Sequence, residues 1–265
     1  MSIYRKTLIL YFCFLIPAIL LIMLFSFQTE NPLRTYLVIA GSFVLGDILF
    51  LKIKTRIFRY FYKKYTNILE EELEPEKFIK LTENEYNSVK NKKYRHYMKM
   101  NFFLGYFARG EIAKAYDYLT DVEISGVTAI AEADKVIYYY NLMLALYNLN
   151  RKDETAEIYS KCREIYENEF KYKNKRIEME NLIKYLELLL FKEEKYEEII
   201  EILERTLRMK VSKRLELSLK YDLASIKEKA GKIQEAENLY REVAQKGNKL
   251  YIREKSEREL KKFIK

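Results

Sequence analysis

The chain has 265 residues, and 48 Lys and Arg against 39 Asp and Glu leave a net charge of +9. Only 7 Gly and 3 Pro occur, too few for the frequent turns of a sandwich, a barrel or an alternating strand–helix fold; collagen-like and Pro- or Gly-rich disordered chains are excluded on the same ground. With 49% hydrophobic and 33% charged residues the composition predicts an all-α chain, and two cysteines, Cys13 and Cys162, supply neither a disulfide framework nor a zinc cluster.

From Thr7 to Phe27 the sequence TLILYFCFLIPAILLIMLFSF is uncharged. A helix of that length rises about 30 Å, the thickness of a hydrocarbon core, and a membrane helix tolerates Pro17 better than a soluble one. Tyr36 to Leu51 reads YLVIAGSFVLGDILFL, with Asp47 its one charge; Ile53 extends it because Lys52 can lift its ammonium clear of the apolar zone. The expectation is a transmembrane helical hairpin over residues 1–54, with spans at about 7–27 and 36–53. Arg5 and Lys6 would suit a signal peptide, but the apolar run is too long, no small-x-small cleavage pattern follows, and a second span comes at once.

Asp47 is the one ionisable residue inside a span, and such a residue raises a functional hypothesis. Its place near Lys52 and Lys54 favours a snorkelled or Lys-paired carboxylate over an ion site. Ser42 and Gly46 form a small-xxx-small pair that lets another helix approach, the first span before a second copy.

Lys52, Lys54, Arg56, Arg59, Lys63 and Lys64 follow the second span without an acid among them. Together with Arg5 and Lys6 they predict a two-span protein of the cell membrane with both termini in the cytoplasm. Interleaved with Phe58, Tyr60, Phe61 and Tyr62, the basic run reads first as a stop-transfer flank with an aromatic belt and second as a site for anionic lipid. Residues 1–64 carry nine basic and two acidic residues, a net +7, and the remainder 39 against 37. The basic balance is therefore a topology signal rather than a nucleic-acid footprint, and the partners expected are a bilayer and a protein.

Residues 55–92 read as a juxtamembrane helix and an opening helix, the latter started by Glu74-Pro75 and carrying Phe78, Ile79, Leu81, Tyr86 and Val89. Residues 93–265 read as a helical repeat. Four times a helical run ends in a turn residue (Gly110, Asn150, Glu194, Gly231), and a second amphipathic helix follows. An anchor stands five residues past each turn (Ala115, Thr155, Ile199, Ala236) and another nine past it (Leu119, Tyr159, Leu203, Tyr240). Gly and Asn accept the left-handed conformation that ends a helix, and Glu194 would do so at some cost. A small residue five positions on lets the second helix press against the first, and stacked pairs then share one core.

These residues resemble the tetratricopeptide repeat, most closely at Leu223, Ala224, Gly231, Ala236 and Tyr240, and the resemblance covers about residues 93–247. Lys227 stands where the family has an aromatic and Ile199 where it has Ala; the family's Trp and closing Pro are absent, and turn-to-turn distances of 40, 44 and 37 exceed its period. The resemblance implies an α-solenoid that binds peptides. In the family register the groove-facing residues are Tyr97, Met100, Leu104, Phe107, Tyr140, Leu144, Tyr147, Lys184 and Tyr221, suited to an apolar or aromatic segment. Tyr251 to Ile264, with Leu260, Phe263 and Ile264 among charges, reads as a capping helix.

No nucleotide, zinc-protease or hydrolase motif occurs, and His96, the only histidine, reads as solvent-facing or stacked. The 24 tyrosines fall at helical spacing and read as packing rather than as base-stacking platforms. No catalytic, cofactor or metal site is expected. The function expected is that of a membrane-anchored scaffold facing the cytoplasm. The alternative is an accessory subunit of a transport or secretion complex acting through its transmembrane helices.

Overall fold

The computed structural model describes residues 3–26, 52–53, 55–170, 175–192 and 194–263, without the side chains at 4, 14, 18, 21–23, 25, 26, 133 and 169. Among the described residues every regular element is a helix. In chain order these are α1 (Ile3–Ser26), α2 (residues 55–70), α3 (Pro75–Ser88), α4 (Lys92–Ala108), α5 (Ile112–Thr120), α6 (Glu132–Asn148), α7 (Lys152–Glu169), α8 (Arg176–Phe191), α9 (Tyr196–Leu207), α10 (Lys213–Lys229), α11 (Ile233–Lys246) and α12 (Tyr251–Phe263). The chain divides into two units, Met1–Thr66 with Asn87–Val89, and Asn67–Tyr86 with Lys90–Lys265.

In the first unit α1 runs unbroken through Pro17 and leaves Ile9, Leu10, Phe12, Ile16, Leu20 and Leu24 exposed. Phe58 and Tyr62 stack with centroids 5.7 Å apart, and the Lys6 ammonium lies 5.7 Å from the Phe61 centroid. Among the described residues no helix is long and apolar enough to cross a membrane, so the structure gives the expected hairpin no support of its own. The second expected span, with Ser42, Gly46 and Asp47, lies outside the described residues apart from Lys52 and Ile53, as does Lys54.

The second unit is built of helix pairs. α4 packs on α5, α6 on α7, α8 on α9 and α10 on α11; α5, α7 and α9 each pack on the helix that follows, and α12 closes against α11 and α10. Local chemistry accounts for the turns. Gly110, Asn150 and Gly231 take φ of 84°, 58° and 77°, and the residue after each donates back five positions: Glu111 to Tyr106 at 2.9 Å, Arg151 to Leu146 at 3.0 Å, Lys232 to Lys227 at 2.8 Å. That pairing satisfies the carbonyls a helix end leaves open. At the third turn residue 193 lies outside the description, and Lys195 donates to the Lys192 carbonyl at 3.0 Å.

The anchors behave as their spacing requires. Ala115, Thr155, Ile199 and Ala236 are all fully buried, and the Thr155 hydroxyl donates to the Arg151 carbonyl at 2.8 Å. Leu119, Leu203 and Tyr240 are buried and Tyr159 half-buried. Lys227 keeps the place of an aromatic by burying its stem, while its ammonium bridges Glu204 of α9 (2.8 Å) and Glu235 of α11 (2.6 Å).

One core joins α6 to α10 through Met143, Tyr166, Leu182, Leu186, Leu203 and Leu223. A second, reaching from α3 to α6, holds Ile79, Phe102, Phe103, Leu119 and Leu146. α3 can close on α4 because Gly105 has no side chain; a Cβ there would stand 2.6 Å from Ile79 Cγ1. At the far end Leu260 and Phe263 of α12 cover Ala224, Ala236 and Tyr240; Ile264 is outside the description.

The first and last pairs also meet. Ala108, at the end of α4, packs on a cluster of Leu73, Leu217, Val243 and Leu250. A Cβ on Gly110 would stand 2.5 Å from Tyr251 Cδ1.

Candidate functional site

The first helices of successive pairs bring a polar, aromatic cluster together. On α6, Tyr140, Leu144 and Tyr147 recur at i, i+4 and i+7, so they share one face, and all three are half-buried. From α8, the buried Tyr185 shares a core with Tyr140 and Tyr147, and its phenol lies within electrostatic reach of Asp222 of α10. Asp222 is only partly exposed, and burial pushes its carboxyl up to about 6, against the pull of Lys255 and of the Tyr185 phenol. Burial and then the Asp222 charge raise the phenols of Tyr140 and Tyr185. At neutral pH the cluster therefore presents an ionised carboxylate among neutral hydroxyls, an arrangement that accepts and donates hydrogen bonds and attracts a cation. Tyr221, beside Asp222, has the Lys255 ammonium 4.7 Å from its ring centroid.

The other expected groove residues are placed differently. Tyr97 donates its hydroxyl to Asp134 at 2.6 Å and accepts the Ala131 N–H at 3.1 Å, pinning α4 to the start of α6. Met100 is buried, and Leu104 and Phe107 are half-buried against the same core. Lys184 pairs with Glu187 at 2.7 Å, a carboxylate that also accepts from Tyr159 of α7 at 2.8 Å. Of the nine residues, Tyr140, Leu144, Tyr147 and Tyr221 lie at or beside the cluster. Tyr185 and Asp222 went unrecognised in the sequence, although each is the chain neighbour of an expected residue.

Outside the cluster, Lys52, Arg56, Arg59, Lys63 and Lys64 are exposed. His96 is half-buried rather than solvent-facing: its Nδ1 accepts the Glu123 N–H at 3.3 Å and its Nε2 lies 3.4 Å from the Glu123 carboxylate, holding the loop after α5. Cys13 is exposed; Cys162 is buried, and burial pushes its thiol up to about 12. Among the described residues no group of His, Cys, Asp and Glu is placed to hold a metal ion.

No protein family matches the chain, and neither the curated proteins nor the solved structures contain a significant match. The class the fold defines is an all-α protein of successively packed helix pairs, compatible with a helical repeat.

Proposed function

We propose that the chain is a membrane-anchored scaffold whose tetratricopeptide-like repeat faces the cytoplasm and binds another protein. The observation that carries this reading is that Tyr140, Tyr147 and Tyr185 of two successive first helices pack in one core, with Asp222 of the third within electrostatic reach. Repeat arrays use that face for extended ligands, and aromatic rings with a neighbouring charge make strong anchors there. The anchor is supported by the uncharged run of α1 from Thr7, its exposed apolar side chains, and the basic run that follows residue 51. Held at the bilayer, the array would meet membrane-bound partners at raised effective concentration.

A photoreactive phenylalanine analogue at Tyr147 of the full chain in cells tests the binding face. The expected product is one discrete crosslinked species that Asp222→Lys removes. A species that persists in that variant but disappears on Asp47→Leu or Gly46→Leu would instead assign recognition to the transmembrane helices. For topology, Ser26→Cys in a chain otherwise free of cysteine should react with an impermeant thiol reagent in intact cells; labelling confined to lysed cells would reverse the orientation.

A further inference from the structure

The end of the fourth helix pair already holds a peptide, and that peptide belongs to the chain itself. Residues 70–74, Glu-Glu-Glu-Leu-Glu, dock there across more than 140 residues of intervening sequence. Glu70 accepts from Arg214 Nε at 2.9 Å and from the Ser212 hydroxyl. Burial alone would raise its carboxyl; Arg214 and the Ser212 hydrogen bond outweigh it and hold the group below its ordinary range. Asn248 donates to the Glu72 carbonyl at 2.8 Å, and Lys249 pairs with Glu74 at 2.7 Å. Between these polar contacts Leu73 is fully buried among Leu217, Val243 and Leu250.

Two observations set this contact apart from ordinary packing. Leu73 has φ of 60°, three residues past the end of α2, where the Glu74 N–H returns to the Ile68 carbonyl at 2.9 Å. Helix ends favour Gly in that place, so the buried leucine side chain offsets a backbone conformation that leucine disfavours. Secondly, the site is larger than its occupant. A cavity of about 860 Å³ continues from it, sharing Leu217 and Asn248 and lined further by Lys213, Glu216, Lys246 and Arg253. The segment's own carboxylates pair with Arg214 and Lys249; of the cations lining the extension, Lys246 already pairs with Glu242 and Arg253 with Glu257, which leaves Lys213 for a further acid.

We propose that this end of the array is a docking site for an acidic peptide with a leucine anchor, of the form Glu-x-x-Leu-Glu, supplied by a partner protein, and that residues 70–74 occupy it in cis until the partner replaces them. The partner's first carboxylate takes Arg214 and Ser212, its leucine takes the slot of Leu73, and its last carboxylate takes Lys249. A further acidic residue in the partner reaches Lys213, a contact the cis segment does not make. Covalent tethering gives the cis segment a high effective concentration, so a bare copy of it competes poorly with the intact chain. Tyr221 packs on this apolar slot as well as standing beside Asp222, but the contacts that hold residues 70–74 come from Ser212, Arg214, Asn248 and Lys249, and the proposal stands without the membrane anchor.

The test is fluorescence anisotropy of a labelled peptide of residues 67–75, NILEEELEP, against the full chain in detergent micelles. Leu73→Asp, which empties the slot, should bind the peptide at least about tenfold more tightly than the unaltered chain. Adding Arg214→Glu should abolish that gain, and raised salt should weaken the binding. The pair Glu70→Gln and Glu74→Gln weakens the cis segment without altering its apolar anchor, and it serves if Leu73→Asp fails to fold. Failure of the peptide to bind either folded variant would overturn the proposal. So would dimerisation of the unaltered chain by exchange of residues 70–74, since the occupant would then be a second copy.

Discussion

Gly110 and Gly231 perform the same local task, so alanine at each separates the cost of a turn from the cost of closing the array. Both sit in the left-handed region, at φ of 84° and 77°. A Cβ there costs about 1–2 kcal/mol. At Gly231 nothing lies within 4 Å of the added carbon, so Gly231→Ala should lose about that much and no more. At Gly110 the carbon would stand 2.5 Å from Tyr251 Cδ1 and 2.8 Å from Cδ2. The ring must move, adding about 1–3 kcal/mol of overpacking. For a unit of this size 1 kcal/mol shifts the melting temperature by about 2–4 °C. Circular dichroism of the full chain in detergent should therefore show Gly110→Ala melting several degrees below Gly231→Ala. In a double-mutant cycle Tyr251→Ala should recover most of the extra loss, with a coupling of about 1–3 kcal/mol. Equal losses at the two glycines, or strict additivity with Tyr251→Ala, would refute the contact between the first pair and α12.

Asp222 makes a pH prediction whose sign is fixed by linkage. Its folded pKa, about 6, lies above the ordinary 3.8, so the native state holds the proton more tightly and loses stability as pH rises from about 4 through 6. At neutral pH the deficit is on the order of 3 kcal/mol. Asp222→Asn should flatten the pH dependence and raise the melting temperature at pH 7 but not at pH 4; a lower melting temperature at pH 7 would show that the charge is compensated. Deleting residues 249–265 removes Leu260 and Phe263 from Ala224, Ala236 and Tyr240, and it should lower both solubility and melting temperature; unchanged values would reject α12 as a cap.

The repeat was legible because its chemistry is local. A residue that tolerates positive φ, followed five positions later by one that must be buried, can be read in any single copy, and Ala115, Thr155, Ile199 and Ala236 are all fully buried. The candidate face was legible only in part. Adjacent residues on a helix point about 100° apart, so a family register taken one position early selects Lys184, which pairs with Glu187, and passes over Tyr185, which meets Asp222. The burial of His96 was missed for a related reason: its partner Glu123 is 27 residues away, in a loop without periodicity.

Helicity, the pairing of helices and the positions of their turns were thus determined by the sequence alone, since each depends on backbone preferences and apolar spacing within about forty residues. The meeting of Gly110 with Tyr251, the docking of Leu73 beneath Leu250 and the company of Asp222 were decided only by the tertiary structure. Each depends on how the small rotation from one helix pair to the next accumulates along the array, a sum of packing contacts that no stretch of sequence carries by itself.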